Sequence, residues 1–377
     1  MGLSLNTVSL IDFRSWRTLL LSDIGPMTVL LGPNAVGKTN VLEAVQLLCA
    51  QTSFRHAPAR DVIRHGAHAA RIEASCSGDG RSLDFSVYFE DAQRVYSLNG
   101  KRKQPSQLRG ILPAISFTPD DLAIAKRASG VRRDAIDSLG AQLNKNYYLI
   151  RKDYDKVVRY KRRLLKEEAS LDLVESINAS LVTCGAQLFC YRAALLSRLA
   201  EHAVLNYAGI SSGTEKLAVS YDPSWNAFDK EGASSCVLRI EPDEAREHIS
   251  RALNQVLVRE RSARRCLVGP HADCISFLLD GHDAADFGSQ GQQRSVVLAW
   301  KMAEVSLVKE TCGQYPVLLL DDVMSELDAP RRKAFMKFLG RGPQTIVTTT
   351  NLGYFDEDAL ATARVVDLSD YVRGDVL

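Results

Sequence analysis

Residues 32–39 read GPNAVGKT and match the pattern G-x-x-x-x-G-K-[ST] in full. An apolar run, MTVLL, precedes them, and a segment with helical spacing of its apolar residues follows. Glycines let the backbone bend so that successive N–H groups point at phosphate oxygens, and a helix start adds the positive end of its dipole. The motif therefore predicts a cradle for a nucleoside triphosphate. The alternative is a glycine-rich turn that carries a lysine by chance.

Within this cradle, Lys38 is expected to reach the β- and γ-phosphates, and the Thr39 hydroxyl to bind Mg²⁺. ATP and Mg²⁺ are the cofactors that this chemistry implies. The predicted ATP-binding residues of the cradle are Gly32, Pro33, Asn34, Ala35, Val36, Gly37, Lys38 and Thr39.

A second group for the metal is expected at the end of a buried strand. Residues 317–322 read VLLLDD, four aliphatic residues followed by two acids. Such aliphatic runs are typical of central parallel strands, and α/β sheets bind ligands at the carboxyl ends of their strands. We expect Asp321 to hold Mg²⁺, directly or through water, and Asp322 to be the catalytic residue that activates or orients the attacking water. The alternative is a pair of solvated acids.

The spacing of these motifs predicts how the fold is assembled. Lys38 and Asp321 are about 280 residues apart, far more than one βαβ crossover requires. Strand-like alternation dominates the first third of the chain, the middle is mainly helical and charged, and the last third is mixed. We predict an α/β fold with an ATPase head of residues 1–118 and 262–377. A mainly helical second domain, residues 119–261, is inserted into it.

A second glycine-containing loop, GSQGQQRS, occupies residues 288–295 and precedes a helical segment. Ser289, Gly291 and the helix start are expected to form another anion-binding nest, with Gln292 beside them. One ATP does not need two nests from the same subunit. This loop is therefore expected to cap the γ-phosphate of ATP bound to a second copy; the alternative is an ordinary polar loop.

This loop resembles the signature Leu-Ser-Gly-Gly-Gln of ABC- and SMC-type ATPases, with Gly288 and Gln290 replacing the leucine and the first glycine. The resemblance implies that Ser325 and Asp328, in SELD after the acids, contact a second copy. A helix N-cap is the other interpretation of these two residues. Thr349 occupies the place of the histidine that usually senses the γ-phosphate in these ATPases. No glutamine-loop residue is identified in ISFTPDD.

Over nearly its whole length the chain resembles the RecF family, SMC-like recombination mediators of bacteria. The resemblance rests on FRSW, GPNAVGKTNVLEA, SFTPDDL, GPH, FGSQGQQRS and LLLDDVMSELD. It implies a weak, DNA-stimulated ATPase that forms an ATP-dependent homodimer on duplex DNA and single-strand gap junctions. It also implies action with RecR and RecO to load RecA and support the SOS response. Ala272 and Cys274 depart from the family's arginine and aspartate.

Positive charge is concentrated in residues 145–166, where nine Lys or Arg residues face two Asp. On a helix they would neutralise several phosphates with little sequence preference; a solvated charged helix is the alternative. The apolar stripe of the same segment fits either a short coiled coil or an amphipathic helix packed on its own domain. The predicted DNA-binding residues are Lys152, Lys156, Arg159, Arg162 and Arg163; Lys101, Arg102 and Lys103 form a weaker candidate.

Composition is that of a globular protein, with 46% hydrophobic and 24% charged residues and a net charge of +2. Eight scattered cysteines without Cys-x-x-Cys spacing favour reduced thiols. No apolar run of membrane-spanning length and no signal peptide is expected, so a cytoplasmic, nucleoid-associated protein is predicted. The alternative functions are the ATP-binding subunit of a transporter and another SMC-like ATPase.

Overall fold

The computed structural model describes residues 2–373 except 56, 92, 127–128, 212 and 229–239. These residues form two compact units. The first contains Met1–Asp121 and Glu304–Leu377, so both ends of the chain contribute to it, and the second contains Leu122–Ala303. The predicted α/β fold with a mainly helical insertion is confirmed.

The strands of the described residues are, in chain order, β1 Ser4–Phe13, β2 Trp16–Leu21, β3 Met27–Leu31, β4 Ala69–Gly78, β5 Arg81–Glu90, β6 Gln93–Leu98, β7 Lys101–Lys103, β8 Ala114–Phe117, β9 Leu217–Asp222, β10 Cys274–Leu279, β11 His282–Asp283, β12 Val317–Asp321, β13 Thr345–Thr349 and β14 Arg364–Asp367. The α-helices are α1 Lys38–Cys49, α2 Pro105–Leu108, α3 Ala123–Lys126, α4 Ser129–Leu143, α5 Lys145–Lys166, α6 Leu171–Ile210, α7 Pro242–Ala263, α8 Gln290–Cys312, α9 Val323–Glu326, α10 Ala329–Leu339, α11 Glu357–Thr362 and α12 Ser369–Arg373.

A parallel sheet in the first unit has the order β14-β3-β13-β12-β8. Its central strands β12 and β13 are buried on both faces, as expected for a sheet that is covered on both sides. Strand β13 lies between β3, which leads into the cradle, and β12, which ends in the acids. The carboxyl ends of β3, β13 and β12 therefore lie next to one another.

Helix α1 is almost entirely buried, with ten of its twelve residues enclosed. It contacts strands of the parallel sheet and also β1, β4 and β5 of an antiparallel sheet with the order β2-β1-β4-β5-β6-β7. A helix that is buried on nearly all sides occupies the core of its unit. Packing on both sheets fixes the helix start, which carries Lys38 and Thr39.

The antiparallel sheet contains hairpins with two-residue turns. Asp79 and Gly80 join β4 to β5, and Asn99 and Gly100 join β6 to β7, all four with positive φ. Two consecutive residues with positive φ are what a tight type I′ hairpin turn requires. The turn residues thus set the register of both hairpins.

The second unit contains α4 to α7 and a small sheet with the order β11-β10-β9. The sequence pattern missed β9, which lies inside the segment predicted to be helical. Because β10 pairs with β9 along six residues, residues after 261 pack with the helical unit up to Ala303. This compact unit therefore ends later than the predicted helical domain. The assignment of residues 262–303 to the ATPase head stays a prediction.

Helix α5 buries its apolar stripe inside its own unit. Tyr147, Tyr154 and Leu164 are buried, and α5 packs against α6 and α4. Lys161, seven residues after Tyr154 on the same helix, is fully buried and lies 2.5 Å from Glu260 of α7. The amphipathic helix, rather than a free coiled-coil seam, is the arrangement in the structure.

Helix α6 is long and apolar enough to cross a membrane by length and composition alone, with an 18-residue window of mean hydropathy 1.3. The expectation that no segment has these properties is wrong in this respect. Such a helix by itself is a weak indication, because core helices of globular proteins have the same composition. In the structure, 44% of the window is buried, and α6 packs against α5 and α7.

The seven cysteines in the described part of the chain are free thiols, as predicted. Burial raises the pKa of the Cys76 thiol to about 12. The remaining cysteine, Cys236, lies outside the described residues.

Candidate nucleotide site and associated residues

The cradle leads from β3 into the first turn of α1. Lys38 is 8% exposed, and its ammonium donates to the carbonyl oxygens of Gly32 and Pro33, at 2.6 and 2.9 Å. These two bonds fold the loop back on the lysine. The loop residues Asn34 and Ala35 stay exposed, and Ala35 has a φ of 66°.

Gly37 is the position where the cradle tolerates no side chain. Its φ is 104°, and a Cβ atom there would lie 2.7 Å from Ser15 Oγ and 2.8 Å from Trp16 Nε1. The Trp16 indole also donates to the Gly37 carbonyl oxygen at 3.2 Å. Ser15 and Trp16 of the FRSW segment therefore pack against Gly37 of the cradle. No sequence pattern predicts this contact.

Thr39 and Asp321 come together although they are far apart in sequence. The Thr39 hydroxyl donates to Asp321 Oδ1 at 2.8 Å. A second hydroxyl, from Thr348 at the end of β13, donates to the same oxygen at 2.9 Å and accepts from the Asp322 amide at 3.0 Å. Thr348 is fully buried and links both acids to the neighbouring strand. No sequence pattern indicates Thr348, because the order of strands in a sheet is not visible in the sequence.

Charges at the site influence one another. Burial raises the pKa of the Asp322 carboxyl, Lys38 opposes this rise, and the negative charge of Asp321 adds to it. Burial lowers the pKa of the Lys38 ammonium, against the pull of both aspartates. A carboxylate with a raised pKa accepts a proton more readily than an ordinary aspartate, which suits a base.

These groups line a cavity of about 260 Å³ together with Asn34, Asn40 and Arg55. Enclosed ligand pockets are usually larger, roughly 300–1,000 Å³. The residues fit Mg²⁺, because the Thr39 and Asp321 oxygens are hard ligands within 2.8 Å of each other. Asp322 Oδ1 is also buried without a hydrogen-bond partner among the described residues. The protein supplies a polar, partly open cavity whose residues fit a phosphate and Mg²⁺.

Arg55 is a cavity residue that no sequence pattern indicated. Its guanidinium donates to Asn40 Oδ1 at 2.8 Å and lies 3.5 Å from Glu43. Glu43 is fully buried on α1, where Arg14 forms two hydrogen bonds with it and Ser53 one. This network holds a cation, Arg55, at the rim of the cavity.

The Ser289 loop lies in the second unit and begins α8. The Gln292 amide N–H donates to Ser289 Oγ at 3.2 Å, and the Ser289 N–H donates to Gln292 Oε1 at 2.7 Å. This reciprocal pair is a capping box. Gly288 is required there, since a Cβ atom would lie 2.5 Å from the Ala284 carbonyl oxygen. Contact of Ser289, Gly291 or Gln292 with ATP stays a prediction.

Three further predicted residues make local bonds. Ser325 donates to the Asp322 carbonyl oxygen at 2.7 Å, and Asp328 caps α10 by accepting from the Arg331 amide at 3.0 Å. Both are exposed, so the cap and a dimer contact are compatible. Thr349 is fully buried, and its hydroxyl bonds to the backbone of Asn351. It does not line the described cavity, and its contact with the γ-phosphate stays a prediction.

The predicted DNA-binding residues of α5 are all exposed. Lys156 pairs with Asp153 at 2.8 Å, and Arg163 lies 4.0 Å from Glu167. The buried Lys161–Glu260 pair removes one of the nine cations of α5 from the surface. The same pair brings the C-terminal part of α7 to α5, and Arg259, Arg264 and Arg265 are exposed there. No sequence pattern associates these α7 arginines with α5.

The GPHAD segment, residues 269–273, is held inside the second unit by hydrogen bonds of its side chains. Asp273 is fully buried and accepts from the Tyr221 hydroxyl and the Ser224 amide. His271 bonds to the Tyr154 hydroxyl at 2.6 Å, and burial lowers the pKa of its imidazole to about 3. Ala272 and Cys274, the departures from the family pattern, are exposed. The hydrogen bonds of His271 and Asp273 are formed despite these two departures.

The chain as a whole matches a known protein family. The family model described as RecF/RecN/SMC N terminal domain matches residues 4–368. The DNA replication and repair protein RecF of Synechococcus sp. (strain JA-3-3Ab) is 34% identical over 363 residues, covering 94% of this chain and 93% of that protein.

Solved structures agree with the sequence relatives. A structure of the recombination mediator protein RecF-ATPrS in the RecFOR pathway superposes with a TM-score of 0.85, at 28% identity and 94% coverage of both chains. The Smc head domain of Pyrococcus furiosus, bound to the C-terminal domain of ScpA, has a TM-score of 0.52. At 15% identity, covering 97% of this chain and 94% of that one, it shows the fold alone. The fold is that of an SMC-type ATPase head with a helical insertion.

Proposed function

This chain belongs to the RecF family of DNA replication and repair proteins, and on that premise we propose that ATP joins two copies of it on DNA. Each copy binds ATP and Mg²⁺ through residues 32–39 and Asp321. The Ser289 loop of the other copy covers the γ-phosphate. Slow hydrolysis with Asp322 as base, stimulated by DNA, then releases the dimer.

The observation that carries this proposal is the assembled site itself. Lys38, Thr39, Asp321 and Asp322 converge on one cavity, and the cavity is smaller than pockets that enclose a ligand. A triphosphate in it would remain partly exposed, which favours completion by a second surface. The transporter alternative loses support, because the match to a replication and repair protein covers 94% of the chain.

DNA is the proposed macromolecular partner, as duplex and at single-strand gap junctions. Lys152, Lys156, Arg159, Arg162 and Arg163 are exposed on α5 and would contact phosphates rather than bases. We further propose action in the cytoplasm, at the nucleoid, with RecR and RecO in the loading of RecA and in support of the SOS response. The relative in the RecFOR pathway motivates these partners.

Sedimentation with and without ATP tests the proposal. The wild type should dimerise with ATP, and Lys38→Met should remain monomeric because the phosphates lose their cation. Asp322→Asn should bind ATP and hydrolyse it poorly, giving a long-lived dimer. A wild type that stays monomeric with saturating ATP, Mg²⁺ and gapped duplex would contradict the proposed function.

A further inference from the structure

Glu215 contacts the Ser289 loop from the connection between α6 and β9. Its Oε1 accepts from the Gln292 side-chain nitrogen at 2.7 Å, and its Oε2 accepts from the Tyr207 hydroxyl at 2.6 Å. Tyr207 lies in the last turn of α6 and is 1% exposed. Both carboxylate oxygens are therefore engaged, one by the long helix and one by the start of α8.

The Glu215 carboxylate fixes the orientation of the side-chain amide of Gln292. An ionised carboxylate only accepts hydrogen bonds, so the amide nitrogen must face Glu215. The amide oxygen then faces the Ser289 N–H, 2.7 Å away. Turning the amide over would oppose oxygen to carboxylate and N–H to N–H, so both contacts would become repulsive. The capping box thus depends on a residue more than 70 positions upstream in the sequence.

We propose that Glu215 is a positioning residue for the ATP-dependent dimer, acting through Gln292 to hold Ser289 and the first turn of α8 ready for a triphosphate. The inference rests on the proposed function. It gives Gln292 a supporting role, because its side-chain nitrogen and oxygen are already used within the protomer. What remains exposed toward a second copy is Ser289 with the adjoining Gln290.

The alternative is that Glu215 only ties two loops together and contributes to the stability of the unit. In that case its removal would lower stability without changing the dissociation constant of the dimer. A positioning role instead predicts that the dissociation constant of the dimer changes while nucleotide binding by the protomer does not. Residues 32–39, which are proposed to bind that nucleotide, lie in the other unit.

The test uses the full chain with a non-hydrolysable ATP analogue and measures the dimer constant by sedimentation. Glu215→Leu removes both acceptors and should weaken the dimer about tenfold to a hundredfold, the range for loss of a hydrogen bond to a charged group. Glu215→Gln keeps an acceptor for Gln292 and can donate to Tyr207, so it should stay within about threefold of wild type. Analogue binding, titrated at concentrations below the dimer constant, should be unchanged in both.

Two further variants separate positioning from packing. Tyr207→Phe keeps the Glu215–Gln292 bond and should cost the dimer less than about threefold. The double variant Glu215→Leu with Gln292→Leu should be no weaker than Gln292→Leu alone, because both changes break the same contact. A wild-type dimer constant in Glu215→Leu overturns the inference while leaving the proposed function intact. A Tyr207→Phe defect equal to that of Glu215→Leu, or additive losses in the double variant, would also overturn it.

Discussion

Replacing Thr348 by valine tests whether strand β13 aligns the two acids for hydrolysis. Valine has nearly the same volume but no hydroxyl, so Asp321 loses one donor and the Asp322 amide loses its acceptor. A hydrogen bond to a charged group contributes about 1.5–3 kcal/mol, and each 1.4 kcal/mol is about tenfold in rate. Asp321 keeps its bond from Thr39. We therefore expect single-turnover hydrolysis to slow by about tenfold to a hundredfold.

The assay compares single-turnover hydrolysis with equilibrium binding of ATP, since Lys38 and the loop amides are unchanged in this variant. Binding should stay within about threefold of wild type, and Thr348→Ser, which keeps the hydroxyl, should hydrolyse ATP at nearly the normal rate. Wild-type hydrolysis by Thr348→Val would refute the reasoning. An equal loss of binding and hydrolysis would mean that the residue supports only the local fold.

Other predictions concern pH, stability and DNA. Because the folded pKa of Asp322 is raised, the base becomes protonated as pH falls, so hydrolysis should decline with a midpoint above about 3.9, the usual aspartate value; a pH–rate profile of wild type against Asp322→Asn measures this, and an identical acid limb in both would assign it elsewhere. Glu260→Gln leaves the buried Lys161 ammonium without its counter-charge and should cost about 3–5 kcal/mol in urea unfolding, whereas Lys161→Met with Glu260→Leu should recover most of that loss. Reversing Arg162 and Arg163 to Glu should reduce the salt dependence of duplex binding by about 0.9 log unit per lost phosphate contact, and an unchanged slope would return α5 to a solvated charged helix.

The sequence by itself predicted which residues would bind phosphate and metal, and the structure brings these residues together. The pattern at residues 32–39 and the acids after VLLL are local signals, because a glycine-rich turn before a helix and a fully apolar strand are each encoded by neighbouring residues. Their separation along the chain was enough to infer a head assembled from both ends. The Asp79–Gly80 and Asn99–Gly100 turns were likewise local, since positive φ is a property of single residues.

Only the tertiary structure decided which distant residues support these groups. Thr348 reaches the acids because β13 lies between β3 and β12, an order that no stretch of sequence encodes. Arg55 reaches the cavity through the buried Glu43, and Glu215 reaches Gln292 from another connection of its unit. Lys161 is one of the nine cations counted in residues 145–166, and only the structure shows that its partner is the buried Glu260 of α7. The periodicity of apolar residues predicts which face of a helix or strand is buried. Which element packs against that face depends on how the whole chain folds.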